Sequence, residues 1–338
     1  EYGREPLDFS ASLNPLGMPE EVKRAIIQGV ERAYAYPDPY ARELTAALAE
    51  KLQIPPQNLI LGNGAADLIH RYVHAIQPQN ALLPIPSFSE YERALHSLGC
   101  NITYYSLDGK KHFDLDEDFL ECINEDVDVL FLCQTGNPTG RIIVPELLDP
   151  RLDKCLAAHT HVLLDECFLS FVDCGNEMSR AKRIWELPNV FILGSFTKLY
   201  GIAGLRLGYG LCSDKVLLGN MTLNSQAWAV STLAQIAGVA ALTQDEYVKC
   251  SLALIAEEKE WLISALDGLG IFIIGSEANY LFFYTDDIIL KEKLAEKGIL
   301  IRDCANFPGL RPGYYRIAVR KREENIALIK AMKEVWKE

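Results

Sequence analysis

The chain has 338 residues, of which 49% are hydrophobic and 23% are charged. This balance is typical of a globular protein with one large or two ordinary domains, and it excludes an intrinsically disordered chain. The formal net charge of −13 would repel a phosphate backbone, and we find no basic patch. Nucleic-acid binding is therefore not expected.

The spacing of the cysteines and the length of the apolar runs both predict a location in the cytoplasm. The nine cysteines are scattered, odd in number and never spaced C-x-x-C, which argues against zinc ribbons and disulfide frameworks and predicts buried thiols in a reducing cytoplasm. No apolar run reaches about 18 residues, and no signal-peptide pattern is visible. We therefore expect a cytoplasmic protein that neither spans nor binds a membrane.

Between residues 59 and 212, short apolar runs alternate with helical patterns. The runs are NLILG, ALLPI, ITYYS, VDVLFLC, HVLLD, NVFILGS and LGYGLC. Strands that alternate with helices are typical of a mainly parallel sheet that is covered by helices on both faces. The sequence therefore predicts an α/β fold whose large domain contains a mainly parallel, seven-stranded sheet.

The pattern changes after residue 212. A long helical region over 233–269 is followed by the strand-like runs FIIGS, NYLFFYT, ILIRDC and YYRIAVR, with a helix between the second and third and another at the end. This order predicts a smaller α+β domain. We divide the chain into an N-terminal segment 1–35, which packs on the small domain or on a partner subunit, a large domain 36–220 and a small domain 221–338.

Polar or aromatic residues follow most of the predicted strands of the large domain. GNGAAD follows the first strand, SFSEY the second and QTGNPTG the run VDVLFLC, while Asp165 ends HVLLD and SFTK follows NVFILG. In open parallel sheets, ligands bind at the carboxyl ends of the strands. We therefore expect these groups to form one site at one edge of the sheet.

These groups together suit a flat, anionic, electron-withdrawing ring. An aldehyde cofactor needs a lysine amine, a carboxylate that keeps its pyridine nitrogen protonated, and a cradle for its phosphate. Lys198 is the candidate amine, and Asp165 is the candidate carboxylate. The candidate phosphate ligands are Ser195, Arg206 and the backbone of Gly64, Ala65 and Ala66.

The motif S-x-x-K at 195–198 is followed by Arg206, and NPTG at 137–140 and a strand ending in DE at 165–166 precede it. Together these motifs resemble the signature of fold-type I pyridoxal-phosphate enzymes of the class I and II aminotransferase group. The resemblance covers the whole chain. It implies that Asn137 donates to the phenolic oxygen of pyridoxal 5'-phosphate, that Phe88 stacks on its ring, and that the Asn137–Pro138 bond is cis. It also implies a homodimer in which Tyr36 reaches the phosphate across the interface.

One position departs from the pattern of many aminotransferases. They have a tyrosine after DEA, which donates to the phenolic oxygen, whereas this chain has DECF with Phe168. Asn137 is therefore expected to be the main donor to that oxygen, and Tyr91 is a candidate for a second.

Three features concern the reaction, because the residues that orient the substrate decide which bond at Cα breaks. SLNPLGMP resembles the NPLG element of histidinol-phosphate aminotransferases and L-threonine-O-3-phosphate decarboxylases and offers Asn14 to the substrate. Arg302 and Arg316 are cations suited to a carboxylate and a phosphate. The motif DECF and the segments ILIRDCANFPGL and YYRIAVR, which contain the two arginines, resemble the decarboxylases of cobalamin biosynthesis more closely than they resemble histidinol-phosphate aminotransferases. We therefore expect decarboxylation of a small phosphorylated amino acid, L-threonine O-3-phosphate, to (R)-1-amino-2-propanol O-2-phosphate.

Two alternatives remain open. A histidinol-phosphate aminotransferase, which works with 2-oxoglutarate and glutamate, would share the cofactor residues and remove the Cα proton instead. A non-catalytic sensor domain of the same fold would lack the lysine or carry a helix-turn-helix segment. Lys198 is present and we find no such segment, so an enzyme is the favoured interpretation.

Overall fold

A computed structural model of the chain describes residues 6–336. Its helices are α1 (Glu20–Gly29), α2 (Arg42–Leu52), α3 (Gly64–Ile76), α4 (Ser89–His96), α5 (Pro145–Ala157), α6 (Gly175–Met178), α7 (Lys215–Leu223), α8 (Thr232–Leu242), α9 (Asp245–Asp267), α10 (Leu290–Glu296) and α11 (Arg322–Val335). Its strands are β1 (Leu7–Asp8), β2 (Leu59–Gly62), β3 (Asn80–Ile85), β4 (Asn101–Ser106), β5 (Val129–Cys133), β6 (His161–Asp165), β7 (Val190–Ser195), β8 (Gly208–Leu211), β9 (Ile273–Gly275), β10 (Tyr280–Tyr284), β11 (Ile299–Leu300), β12 (Arg302–Asp303) and β13 (Tyr314–Ala318).

The seven apolar runs between residues 59 and 212 all form strands of one sheet. Its order is β2-β8-β7-β6-β5-β3-β4, and β8 alone runs antiparallel to its two neighbours in this sheet. The predicted mainly parallel, seven-stranded sheet is therefore confirmed. Strands β5, β6 and β7 lie side by side and end at the same edge, which brings together the polar residues that follow them.

Helices cover both faces of this sheet, which explains why its central strands are almost continuously apolar. Alternate side chains point to opposite faces, so Leu130 and Leu164 belong to one core, while Phe131 and Leu163 belong to the other. The first core includes side chains of α2, α5 and α8, and the second includes those of α3, α4 and α7.

The remaining strands form two smaller sheets. An antiparallel sheet has the order β12-β13-β10-β9, and β1 pairs with β11 in parallel, so that the beginning of the described chain lies against its carboxyl-terminal part. The predicted strand ILIRDC is divided at Ile301 into β11 and β12, and the predicted helical region over 233–269 consists of α8 and α9. The proposed domain limits at residues 35 and 220 remain predictions.

Two further features bear on the predictions from composition. Within residues 6–336, no helix is both long and apolar enough to cross a bilayer. All nine cysteines are free, and five of them are buried, as predicted. Cys122 and Cys133 are half-buried and Cys174 and Cys250 are exposed, so the prediction of buried thiols fails at these four positions.

Candidate active site

The carboxylate of Asp165 lies at the centre of the polar edge. Asp165 is the last residue of β6, pairs in register with Cys133 at the end of β5, and is 6% exposed. Tyr91 Oη donates to its Oδ2 over 2.5 Å, and the backbone N–H of Cys167 donates to its Oδ1 over 2.9 Å. Both oxygens of the carboxylate therefore act as hydrogen-bond acceptors.

The predicted role of Tyr91 as a second donor to the phenolic oxygen is not supported, because its hydroxyl hydrogen is directed at Asp165. The sequence showed that Tyr91 was near the site but not which group it faced.

Lys198 lies in the turn that follows β7. Its Nζ is 5.1 Å from the ring centre of Phe168, three residues beyond Asp165. Burial and the Asp165 charge raise the pKa of the Cys133 thiol to about 12, and the Lys198 charge opposes that rise. The Lys198 charge therefore acts on Cys133, which is the register partner of Asp165.

Two of the candidate phosphate ligands, Gly64 and Arg206, meet at the N-terminus of α3. Gly64, the first residue of α3, has φ +79°, and a Cβ added there would lie 2.5 Å from Arg206 Nη2. A side chain at this position would therefore clash with the guanidinium in its present place. The N–H groups of the first turn of α3, at Gly64, Ala65 and Ala66, have no partner within the helix. Together with Arg206 they provide the positive potential that an anion needs.

A second hydroxyl, from Thr197, lies beside that of Ser195 at the end of β7. Ser195 Oγ and Thr197 Oγ1 lie 2.7 Å apart, and the N–H of Thr197 donates to Ser195 Oγ over 3.2 Å. Our reading of the sequence missed Thr197, although the threonine in SFTK was a visible signal for a paired hydroxyl. Both side chains precede Lys198 in one turn.

Asn137 is held by an arginine from the small antiparallel sheet. Arg316, on β13, donates through Nη1 to Asn137 Oδ1 over 2.5 Å and through Nη2 to the Ser10 carbonyl over 3.1 Å. The predicted cis bond between Asn137 and Pro138 is confirmed. Because its oxygen accepts from Arg316, the amide of Asn137 keeps its N–H groups for another acceptor, such as a phenolate.

Arg302 is the register partner of Arg316 on the neighbouring strand. Residues directly opposite each other in an antiparallel pair have side chains on the same face of the sheet. Arg302 donates to Asn306 Oδ1 over 2.9 Å and lies over the ring of Phe307. Burial lowers the pKa of Arg316, and the Arg302 charge adds to this effect. The two cations therefore form a pair on one face.

Asn14 does not have the predicted position for a substrate contact. Its Nδ2 donates to the Leu199 carbonyl and to Ser251 Oγ, both over 2.7 Å, while its Oδ1 accepts from the N–H of Leu16. The amide is therefore occupied within the chain. Its backbone N–H also donates to the Lys198 carbonyl, so Asn14 supports the lysine turn instead.

The two predicted aromatic contacts remain predictions. Phe88 is half-buried at the start of α4 and meets Tyr91 edge to face, with ring centres 5.6 Å apart. Tyr36 is 80% exposed and stacks on Trp228 with ring centres 4.4 Å apart. An exposed tyrosine is available to a second subunit, as the predicted interface role requires.

The residues of this edge fit pyridoxal 5'-phosphate. Gly64 lets the Arg206 guanidinium lie against the N-terminus of α3, so that both can offer donors to a phosphate. Asp165 is a buried carboxylate, and within residues 6–336 none of its hydrogen bonds comes from a cation, as expected of a group that would pair with a protonated ring nitrogen. Lys198 supplies the amine.

Several known proteins are similar to this chain in sequence and in fold. The model of the aminotransferase class I and II family matches residues 4–332. Threonine-phosphate decarboxylase of Salmonella typhimurium is 37% identical over 332 residues, which cover 97% of this chain and 91% of that protein.

Two crystal structures have similar folds. That of the histidinol-phosphate aminotransferase from Clostridium acetobutylicum has a TM-score of 0.90 and 27% identity, covering 97% of this chain and 98% of that one. That of L-threonine-O-3-phosphate decarboxylase from Porphyromonas gingivalis has a TM-score of 0.88 and 26% identity, covering 98% of this chain and 100% of that one.

Proposed function

The chain belongs to the class I and II aminotransferase family and is a pyridoxal-phosphate-dependent enzyme, and on this basis we propose that it decarboxylates L-threonine O-3-phosphate. The product would be (R)-1-amino-2-propanol O-2-phosphate, and the sequence resemblance implies that the step serves cobalamin biosynthesis. A relative that is 37% identical over 97% of the chain and is named a threonine-phosphate decarboxylase supports this choice.

The structural observation that supports the substrate best is the register pair of Arg302 and Arg316. Threonine phosphate carries a carboxylate and a phosphate, and two guanidinium groups on one sheet face suit two anions on one small molecule. Histidinol phosphate has a single anionic group, its phosphate. Because Arg316 also bonds to Asn137, we assign the carboxylate to Arg316 and the phosphate to Arg302.

Each candidate residue would have a distinct role in the proposed reaction. Bound pyridoxal phosphate supplies an electron sink for the charge left at Cα when CO2 departs. Lys198 holds the cofactor through Nζ and afterwards delivers a proton to Cα, while Asp165 keeps a proton on the ring nitrogen. Arg316 would bind and orient the substrate carboxylate. Phe168 presents an apolar ring to Lys198 and keeps water from that side.

Transamination of histidinol phosphate is the alternative. A histidinol-phosphate aminotransferase has a very similar fold, and glutamate, the amino donor of that reaction, carries two carboxylates that the arginine pair would also bind. The two reactions break different bonds at Cα. They can therefore be distinguished by their products, which are CO2 for decarboxylation and glutamate for transamination.

We also propose that the enzyme is a cytoplasmic homodimer. Free cysteines suit a reducing compartment. Tyr34, Tyr36 and Tyr40 are each more than 70% exposed, which supports a covering subunit, and a symmetric dimer is the commonest assembly. Tyr36 of one subunit would then reach the phosphate held by Ser195 and Arg206 of the other.

The test offers each substrate to the purified holoenzyme. Threonine phosphate alone should release CO2, and histidinol phosphate with 2-oxoglutarate should yield no glutamate. The Lys198→Ala variant should be inactive in both assays, whereas Lys215→Ala, at an exposed lysine, should behave like the wild type. Glutamate without CO2 would refute the proposed reaction.

A further inference from the structure

We propose that Tyr91 is a positioning residue that keeps a proton on the cofactor's ring nitrogen by donating a hydrogen bond to Asp165. The two side chains are 74 residues apart in sequence, and their oxygen atoms, Tyr91 Oη and Asp165 Oδ2, are 2.5 Å apart in the structure. The inference rests on the proposed placement of the ring nitrogen against Asp165. It does not depend on which bond at Cα breaks.

Packing fixes the hydroxyl of Tyr91 in place. The side chain is fully buried, and its ring centre lies 5.2 Å from that of Phe131 and 5.6 Å from that of Phe88. Phe88 and Tyr91 are three residues apart at the start of α4 and therefore lie on the same side of the helix. One helical turn thus carries both the predicted stacking ring and the donor to Asp165.

The electrostatic environment keeps the Tyr91 hydroxyl protonated, so that it donates its hydrogen bond to Asp165. Burial raises the pKa of its phenol well above the ordinary value, and the Asp165 charge adds to this rise. The phenol therefore stays protonated, and Asp165 Oδ2 remains the acceptor. The second hydrogen bond of the carboxylate, from the backbone N–H of Cys167, is independent of this side chain.

The position of the shared proton follows from this arrangement. One proton lies between the ring nitrogen and Asp165, and it resides on the more basic of the two. A hydrogen bond donated to the carboxylate stabilises its ionised form, so Tyr91 shifts the proton toward the nitrogen. Without this donor the proton moves toward the carboxylate oxygen, and the ring becomes a weaker electron sink.

The protonation of the ring nitrogen can be measured directly by 15N NMR. Wild-type and Tyr91→Phe holoenzymes are loaded with pyridoxal phosphate labelled with 15N in the ring, and the nitrogen resonance is recorded without substrate. We expect the resonance of Tyr91→Phe to move from the protonated toward the unprotonated position. The kcat should fall about 10- to 100-fold with little change in KM, as for loss of a hydrogen bond to a charged group.

Tyr72→Phe is the matched control. Tyr72 is also fully buried and also contacts Phe131, but its hydroxyl has no hydrogen-bond partner within the described residues. Its substitution should leave the 15N resonance at the wild-type position. A wild-type resonance in Tyr91→Phe, or an equal shift in both variants, would overturn the inference.

A second substitution covers the case in which Tyr91→Phe fails to fold or to bind the cofactor. Site-specific incorporation of 3-fluorotyrosine at position 91 keeps the ring and makes the phenol a stronger acid and hence a stronger donor. The nitrogen resonance should then move opposite to the direction expected for Tyr91→Phe. An unchanged resonance would count against a role for this hydrogen bond. Because no substrate is present, these results stand apart from any failure of the proposed decarboxylation.

Discussion

Arg316 donates through Nη1 to Asn137 Oδ1 over 2.5 Å, although the two residues are 179 positions apart in the chain. Arg316 is on β13 of the small sheet, and Asn137 follows β5 of the large one. The bond therefore joins the proposed substrate anchor to the residue expected to hold the cofactor. A change at either residue should affect both functions.

Arg316→Lys should lower kcat/KM for threonine phosphate about 10- to 100-fold. Lysine keeps the charge but cannot reproduce the forked donation to Asn137 and to the Ser10 carbonyl. Steady-state decarboxylation kinetics measure the loss. The control is Arg311→Lys, because the Arg311 guanidinium lies over the ring of Tyr284 instead; equal losses in both variants would remove Arg316 from the substrate site.

Mixing two inactive variants tests the proposed crossing of Tyr36. Lys198→Ala and a strongly impaired Tyr36→Ala are mixed, dissociated and reassembled. If each site combines Lys198 of one subunit with Tyr36 of the other, random pairing should restore about a quarter of the sites. Activity is assayed before and after mixing. Substituting Tyr34, which is 94% exposed, should impair the enzyme much less; no recovery on mixing would place Tyr36 outside a shared site.

Asn14→Ala should destabilise the protein and not weaken substrate binding. It leaves the buried Leu199 carbonyl and Ser251 without their donor, which should lower the free energy of unfolding by about 1–3 kcal/mol. Urea denaturation measures this loss, and KM for threonine phosphate should stay near the wild-type value. Ser251→Ala removes one of the same bonds and should show a smaller loss of the same kind. A large rise in KM at full stability would restore the substrate role predicted from the sequence.

Glu166 should make stability depend on pH. Burial raises its pKa from 4.5 to about 7, against the hydrogen bonds from Ser179 and the Arg180 N–H. The folded protein therefore holds this proton to a higher pH than the unfolded chain does. The contribution of Glu166 to stability is greatest below about 4.5 and decreases as the pH rises to about 7.

The variant Glu166→Gln removes this titration. Relative to the wild type, its free energy of unfolding should increase between pH 4.5 and 7, by up to about 3 kcal/mol. Denaturation at several pH values gives the two curves, with the exposed Glu177→Gln as the control. Parallel curves for Glu166→Gln and the wild type would show that Glu166 does not titrate as described.

The sequence by itself determined the large sheet and identified the candidate cofactor residues. The apolar runs are short and bounded by turn formers, so the seven strands could be identified from local pattern. The carboxyl ends of parallel strands lie at one edge, which is why Asp165, Ser195 and Lys198 could be assigned to one site. The motif S-x-x-K then indicated the chemistry.

Only the tertiary structure decided how distant side chains are paired. Asn14 supports the lysine turn, Tyr91 faces Asp165, and Arg316 holds Asn137. These bonds join residues 74 to 185 positions apart. A hydrogen bond forms only when donor and acceptor meet within a few tenths of an ångström at a suitable angle. That placement depends on how the layers pack, and no local sequence pattern specifies it.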